Sequence, residues 1–147
     1  ALPPRVRLHL VGHSLGGIVA RLYAVRARDA ERAVVQTISL ASPFAGLRGA
    51  SAAPFASARD LAPDGAVLRE VRLQGAAGVP HLSILAADDA LIPAPISQAL
   101  PDGDVLVVHG IGHNALLFDA RVIDAIERRV LSSRRVEAGD AVARDRV

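Results

Sequence analysis

Three kinds of side chain that together can run acyl-transfer chemistry lie far apart in this chain. They are a serine at Ser14, neighbouring carboxylates at Asp88 and Asp89, and histidines at His109 and His113. A serine hydroxyl is a poor nucleophile at neutral pH, so it needs an imidazole to take its proton and a carboxylate to hold that imidazole. Ser14 stands in Gly12-His13-Ser14-Leu15-Gly16, which fits the G-x-S-x-G pattern of a nucleophile elbow. An elbow presents its serine from a strained strand-to-helix turn, and the small residues Gly12, Gly16 and Gly17 are expected where the two backbones close on each other. The helix that follows offers its partial positive end to a developing oxyanion. The backbone N–H of Leu15 is the donor expected from this sequence.

The elements needed to position these groups can be read from hydrophobic patterning. Val6 to Val11 is apolar on nearly every residue, Val34 to Leu40 is rich in β-branched residues, and Leu82 to Ala87 and Val105 to Val108 are further short apolar runs. Runs of that kind predict strands of a parallel sheet covered by helices on both faces, an α/β architecture with about four strands. Leu15 to Arg28 reads as a helix whose Leu15, Ile18, Val19, Leu22 and Tyr23 face the sheet, with Arg21, Arg26 and Arg28 turned away. Ala66 to Leu73 and Ala115 to Leu131 read as two more, the latter burying Leu116, Ala120, Ile123, Ile126 and Val130. In this frame Ser14, Asp88 or Asp89, and His109 or His113 each follow a strand. Asp88 and Asp89 both close the third strand, and Asp89 opens the run Asp89-Ala90-Leu91-Ile92-Pro93. His109 ends its strand directly, whereas His113 lies on a glycine-flanked loop before a helix.

Composition sets the limits. At 147 residues, with 51% hydrophobic and 22% charged residues, the chain suits one domain with one core and not a largely disordered polymer. There is no Cys, which removes disulfides, zinc-thiolate sites and thiol nucleophiles. All 17 basic residues are Arg, but they scatter along helices or alternate with acids, and three Phe and one Tyr leave little to stack on bases. A nucleic-acid partner is not expected. No apolar run approaches the roughly 20 residues of a membrane-spanning helix. Gly110-x-Gly112-x-x-Ala115 matches the loose dinucleotide fingerprint, but the strand with an acid that should follow it is absent, so neither a nucleotide cofactor nor a metal is expected.

The longer string Gly12 to Arg21, with the small-Pro-aromatic-x-Gly turn Ser42-Pro43-Phe44-Ala45-Gly46 and the Asp89 to Pro93 loop, resembles the alpha/beta-hydrolase superfamily, in its bacterial lipase and esterase branch. The order Ser, Asp, His along the chain agrees with that fold. The resemblance covers about residues 5 to 131 and implies the C-terminal half of the family fold, a truncated alpha/beta-hydrolase domain over 1–131. It implies a cap-like crossover over 47–79, and 132–147 reads as a polar, disordered tail. It also implies a triad of Ser14, Asp89 and His113 acting on a small acyl ester or lipid. A second oxyanion donor would stand on a loop upstream of the 13 residues that precede Ser14. Phe44, Phe55 and Leu61 either line an acyl pocket or close a small satellite core. The first strand is expected at an exposed apolar edge, which leaves a second reading, a non-catalytic half-fold that binds a partner.

Overall fold

The short apolar-rich runs form β1 (Leu8–His13), β2 (Val34–Leu40), β3 (His81–Ala86) and β4 (Asp104–Val108), of which β2 and β3 are largely buried and β1 and β4 are more exposed. In the computed structural model they make one parallel sheet in the order β1-β2-β3-β4. The structure describes residues 7–27, 34–52, 54, 59–73 and 78–144. β2 falls on the expected residues and the other strands lie within two residues of theirs. Helices α1 (Leu15–Arg26) and α2 (Ala66–Leu73) cover one face of the sheet, and α3 (Ala120–Arg144) covers the other. No helix among the described residues is long and apolar enough to cross a membrane.

The two faces differ in chemistry because side chains alternate along each strand. Ile38, Leu40, Leu82, Ile84 and Ala86 point toward α3 and form the main core with Val108, Leu116 and Val122. Thr37, Ser39, His81 and Ser83 point the other way, so the face under α1 is small and polar. That polarity corrects the expected face of α1. Leu15, Val19 and Tyr23 are exposed, whereas Gly17, Ile18, Arg21, Ala24 and Val25 are buried. Arg21 is only 2% exposed; its guanidinium donates to the Val79 carbonyl at 2.8 Å and to Thr37 Oγ1 at 3.4 Å. The helix has turned by about one residue so that its glycine and alanines meet the sheet. Arg26 points outward as expected and holds Glu70 of α2 through two hydrogen bonds of 2.8 and 2.7 Å. Arg28 lies outside the described residues.

The glycine requirement also falls differently from expectation. A Cβ on Gly12 would stand 2.2 Å from the Gly16 carbonyl oxygen, and one on Gly17 would stand 2.0 Å from Ser42 Oγ. One on Gly16 would meet nothing within 4 Å. Gly12 and Gly17 are therefore the positions where strand, helix and loop come too close for a side chain, and Gly16 is not.

The last helix is divided where one was expected. A 3-10 turn over Asn114–Phe118 comes first, and Asp119 then caps α3 by accepting from the backbone N–H of Arg121 at 2.8 Å. Restarting the helix at Ala120 shifts its phase, so Val122 is buried and Ala125 and Ile126 pack on the core, while Ala120 and Ile123 face solvent. α3 runs on to Arg144, through residues that the sequence patterning assigned to a disordered tail.

Candidate active site

Parallel strands bring their C-terminal ends to one side, and the sequence-derived candidates follow the ends of β1, β3 and β4. Ser14 follows β1 with φ 54° and ψ −124°, a strained backbone that L-residues avoid, and heads α1. Its N–H donates to the Leu40 carbonyl at the end of β2 at 2.8 Å. The neighbouring strand thus holds the turn from below.

Asp89 follows β3 and is buried. Its Oδ1 accepts from the backbone N–H groups of Leu91 at 2.8 Å and Ile92 at 2.9 Å, so the loop over 89–92 closes on its own carboxylate. Its Oδ2 accepts from His113 Nδ1 at 2.7 Å and from Gln98 Nε2 at 3.4 Å. A carboxylate given two backbone donors in this way has no freedom to swing, and it fixes the ring bonded to it. With Nδ1–H committed to Asp89, the His113 ring keeps Nε2 as its lone-pair nitrogen, the form a general base requires.

His113 also meets the elbow. Its backbone carbonyl accepts a hydrogen bond of 3.1 Å from His13 Nε2, and the two rings lie with centroids 4.7 Å apart, tilted by 56°. A carbonyl only accepts, so His13 must carry its proton on Nε2. The structure thus brings His113 against the residue that immediately precedes Ser14. Among the described residues no hydrogen bond joins the Ser14 hydroxyl to His113.

The two residues weighed against these take other places. Asp88 is exposed, and its Oδ2 accepts from the Gly110 N–H at 2.8 Å, tying the loop after β3 to the one after β4. His109 is exposed, and its backbone carbonyl accepts from Arg121 at 3.2 Å.

Of the two places open to it, acyl pocket or satellite core, Phe44 stands in the core. It is 1% exposed, packed among Ile18, Leu68, Val71 and Leu100, and set edge-on to His81. Leu61 packs against the same cluster. These two close a satellite core between α1 and α2, because Ala41, with φ 45°, turns the chain inward as it leaves β2. Phe55 lies outside the described residues.

Gln98 escaped the sequence analysis. It is fully buried, with Oε1 accepting from the Ala86 N–H at 2.9 Å and Nε2 donating to the carbonyls of Ala86 at 3.1 Å and Ile92 at 3.2 Å. It therefore bolts the end of β3 to the Asp89 loop. Its one signal in sequence is an amide within the short apolar stretch Ile96 to Leu100. His81 is the other buried polar residue of note. Its Nδ1 lies 2.7 Å from Thr37 Oγ1 and its Nε2 3.0 Å from Ser39 Oγ. Burial, aided by the charges of Arg21 and Arg129, pushes its pKa down to about 3.

Comparison with known proteins bears on the fold. Residues 2–50 match the family described as PGAP1-like alpha/beta domain. No curated protein matches the chain. Among solved structures it is similar to a carboxylesterase structure from the thaumarchaeon Nitrososphaera gargenis, at 15% identity and a TM-score of 0.61, covering 88% of this chain and 66% of that one. A structure from the metagenome-derived lipolytic enzymes LipS and LipT gives 16% identity and a TM-score of 0.65, over 88% and 66%. MGS-MChE2, an alpha/beta hydrolase from a lagoon-sediment metagenome, gives 18% and 0.54, over 90% and 63%. The chain therefore has the α/β-hydrolase fold. It spans slightly under two thirds of the length of these structures, and so holds a truncated form of the fold.

Proposed function

We propose that this chain carries the nucleophile, acid and base of a serine hydrolase that cleaves carboxylic esters of the esterase or lipase kind. The observation that carries the reading is the buried 2.7 Å pair between Asp89 and His113, set against the residue next to a strained Ser14. In the first step His113 Nε2 takes the Ser14 hydroxyl proton as Oγ attacks the ester carbonyl carbon. The carbonyl π electrons move to oxygen, and the resulting oxyanion is met by the Leu15 N–H at the head of α1. Asp89 holds the imidazolium and its tautomer. The tetrahedral intermediate then collapses, the C–O bond to the alcohol breaks, and His113 returns the proton to the departing alkoxide. Water, deprotonated by His113, attacks the acyl-Ser14 ester, and the acid leaves with Ser14 restored. No cofactor or metal enters these steps.

Two donors normally meet an oxyanion of this kind, and losing one costs about 3 kcal/mol of transition-state stabilisation. Leu15 supplies one. A chain spanning under two thirds of its structural relatives would turn over slowly if the second belongs to the remainder. Turnover of p-nitrophenyl butyrate tests the reading. Ser14→Ala should abolish it, a loss of about 10^4-fold or more. Equal rates in the two proteins would remove the hydrolase reading.

One observation favours a second reading, in which the chain serves as a binding module. β1 is an edge strand, and Val11 at its centre is 47% exposed beside the exposed Leu15, Val19 and Tyr23 of α1. An apolar edge of that kind invites pairing with another strand. Retained partner capture in a Ser14→Ala protein that never turned over ester would favour it.

A further inference from the structure

Beside the Asp89 loop lies a cavity of about 790 Å³, within the range of small-molecule sites. One wall is the chain leaving the Phe44 turn, including Leu47 and Arg48; the other is Leu91, Ile92 and Pro93, and Pro63 also lines it. The walls are joined by the Ala45 N–H, which donates to the Ser97 carbonyl at 3.0 Å. Gly46, at φ +85°, lets the chain pass so close to Pro63 that a Cβ there would stand 2.5 Å from Pro63 Cα. Leu47 is pinned by its N–H on the Leu61 carbonyl at 2.7 Å. The cavity is therefore framed by fixed backbone.

Its lining is apolar except for Ser97 and one charged residue, Arg48, which is exposed at the rim. No carboxylate pairs with Arg48 among the described residues. A concave apolar surface with a single cation at its edge suits a chain that is aliphatic along its length and anionic at one end. Leu91 and Ile92 carry the very N–H groups that hold Asp89 Oδ1, so an occupant would lie one backbone thickness from that carboxylate.

We propose that this cavity binds an aliphatic chain bearing a terminal carboxylate, with Arg48 as the anion's partner. As a substrate subsite the proposal rests on the ester-hydrolase reading and names its substrate class, esters whose acyl chain carries a second, anionic end. As a binding site it does not. Octanoate and octan-1-ol are the probes, followed through backbone amide NMR shifts of the whole chain. Octanoate should give saturable shifts at Leu47, Arg48 and Leu91 to Ala94. Arg48→Gln should weaken octanoate about threefold, the scale of an exposed ion pair, and leave octanol unchanged. Added salt should do the same. Ala94→Trp, placing bulk in the cavity at an exposed position, should weaken both probes. Shifts that do not saturate at these residues, or an Arg48→Gln effect equal for the two probes, would overturn the assignment. Saturable octanoate binding to a chain whose Ser14 form and Ser14→Ala form show equal ester turnover would keep this site while the hydrolase reading failed.

Discussion

The two ends of β3 each hold an imidazole, and they hold it for opposite ends. At the start of the strand His81 is wedged under α1 with a hydroxyl on each ring nitrogen, Thr37 on one side and Ser39 on the other. Three residues past the other end, Asp89 holds one nitrogen of His113, and no hydrogen bond reaches the second among the described residues. Hydroxyls satisfy a neutral ring without favouring its charged form, and burial then drives the pKa down to about 3. A carboxylate only accepts, so it takes the Nδ1–H and leaves Nε2 with its lone pair. The lesson is that the partner, more than the histidine, decides whether the ring can work as a base. His81 cannot serve as one near neutral pH.

The strongest way to break this contrast is to remove the carboxylate's charge while keeping its shape. Asp89→Asn should lower ester turnover by about 10^4-fold, because the amide can present its N–H to Nδ1 and so enforce the wrong tautomer. Asp88→Asn should leave turnover within a few-fold, since Asp88 serves a loop tie to Gly110. If the two variants fell equally in kcat, the division of labour between the adjacent acids would be wrong.

At the other end of the strand the contrast becomes one of stability against pH. In the unfolded chain the His81 ring titrates near 6.5, and in the fold near 3, so between those values the unfolded chain binds more protons. Stability is thus fully present above 6.5, falls as the pH is lowered through that window, and levels off below about 3. The loss amounts to several kcal/mol at most. The Asp119 carboxyl, held down to about 2 by Arg121, acts only below its ordinary 3.8, which leaves the upper part of the window to His81. Urea unfolding between pH 7 and 4 should show this slope flattened in His81→Gln. An unchanged slope would mean that the buried ring does not govern acid stability.

Gln98 offers a third and smaller test, on the support of the working end. Gln98→Leu keeps the volume but leaves the Ala86 N–H without its side-chain acceptor and removes one donor from Asp89. A loss of about 2 kcal/mol in unfolding free energy is expected, with a lowered kcat that a wholly structural residue would not give once the protein is folded. Gln98→Glu puts a second negative charge beside Asp89 and should be worse in both respects.

What could be read from the sequence follows the same contrast. Ser14, Asp89 and His113 stand at strand exits with glycines or a proline around them, and each is of a type whose chemistry announces it. β2 was legible residue for residue because it is apolar and β-branched between clear breaks. The face of α1 was not, since a 3.6-residue period cannot reveal that the sheet beneath it is polar; Thr37, Ser39 and His81 come from two strands and act together only after folding. Phe44 stood open between two places for the converse reason. An aromatic next to a proline turn suits a pocket as well as a core, and the left-handed Ala41 that sends it inward has no signature in an alanine. Gln98 carries no charge and no motif, so its four hydrogen bonds exist only in three dimensions.

His13 is a third imidazole to set beside these two, and its partner is neither hydroxyl nor carboxylate but the backbone carbonyl of His113. By the logic above it should neither catalyse nor remain inert, because a neutral hydrogen bond to the base's own backbone fixes where the loop sits without touching the reacting atoms. His13→Phe keeps a ring against His113 and drops the hydrogen bond, which is worth about 1 kcal/mol. Turnover should fall by less than tenfold, with KM for p-nitrophenyl butyrate unchanged and the decrease confined to kcat. His13→Gln retains a donor on a flexible side chain and should recover part of the loss. Should His13→Phe cost as much as Asp89→Asn, the ring would have to take part in proton transfer itself, and ranking these imidazoles by their partners would fail at the residue closest to the nucleophile.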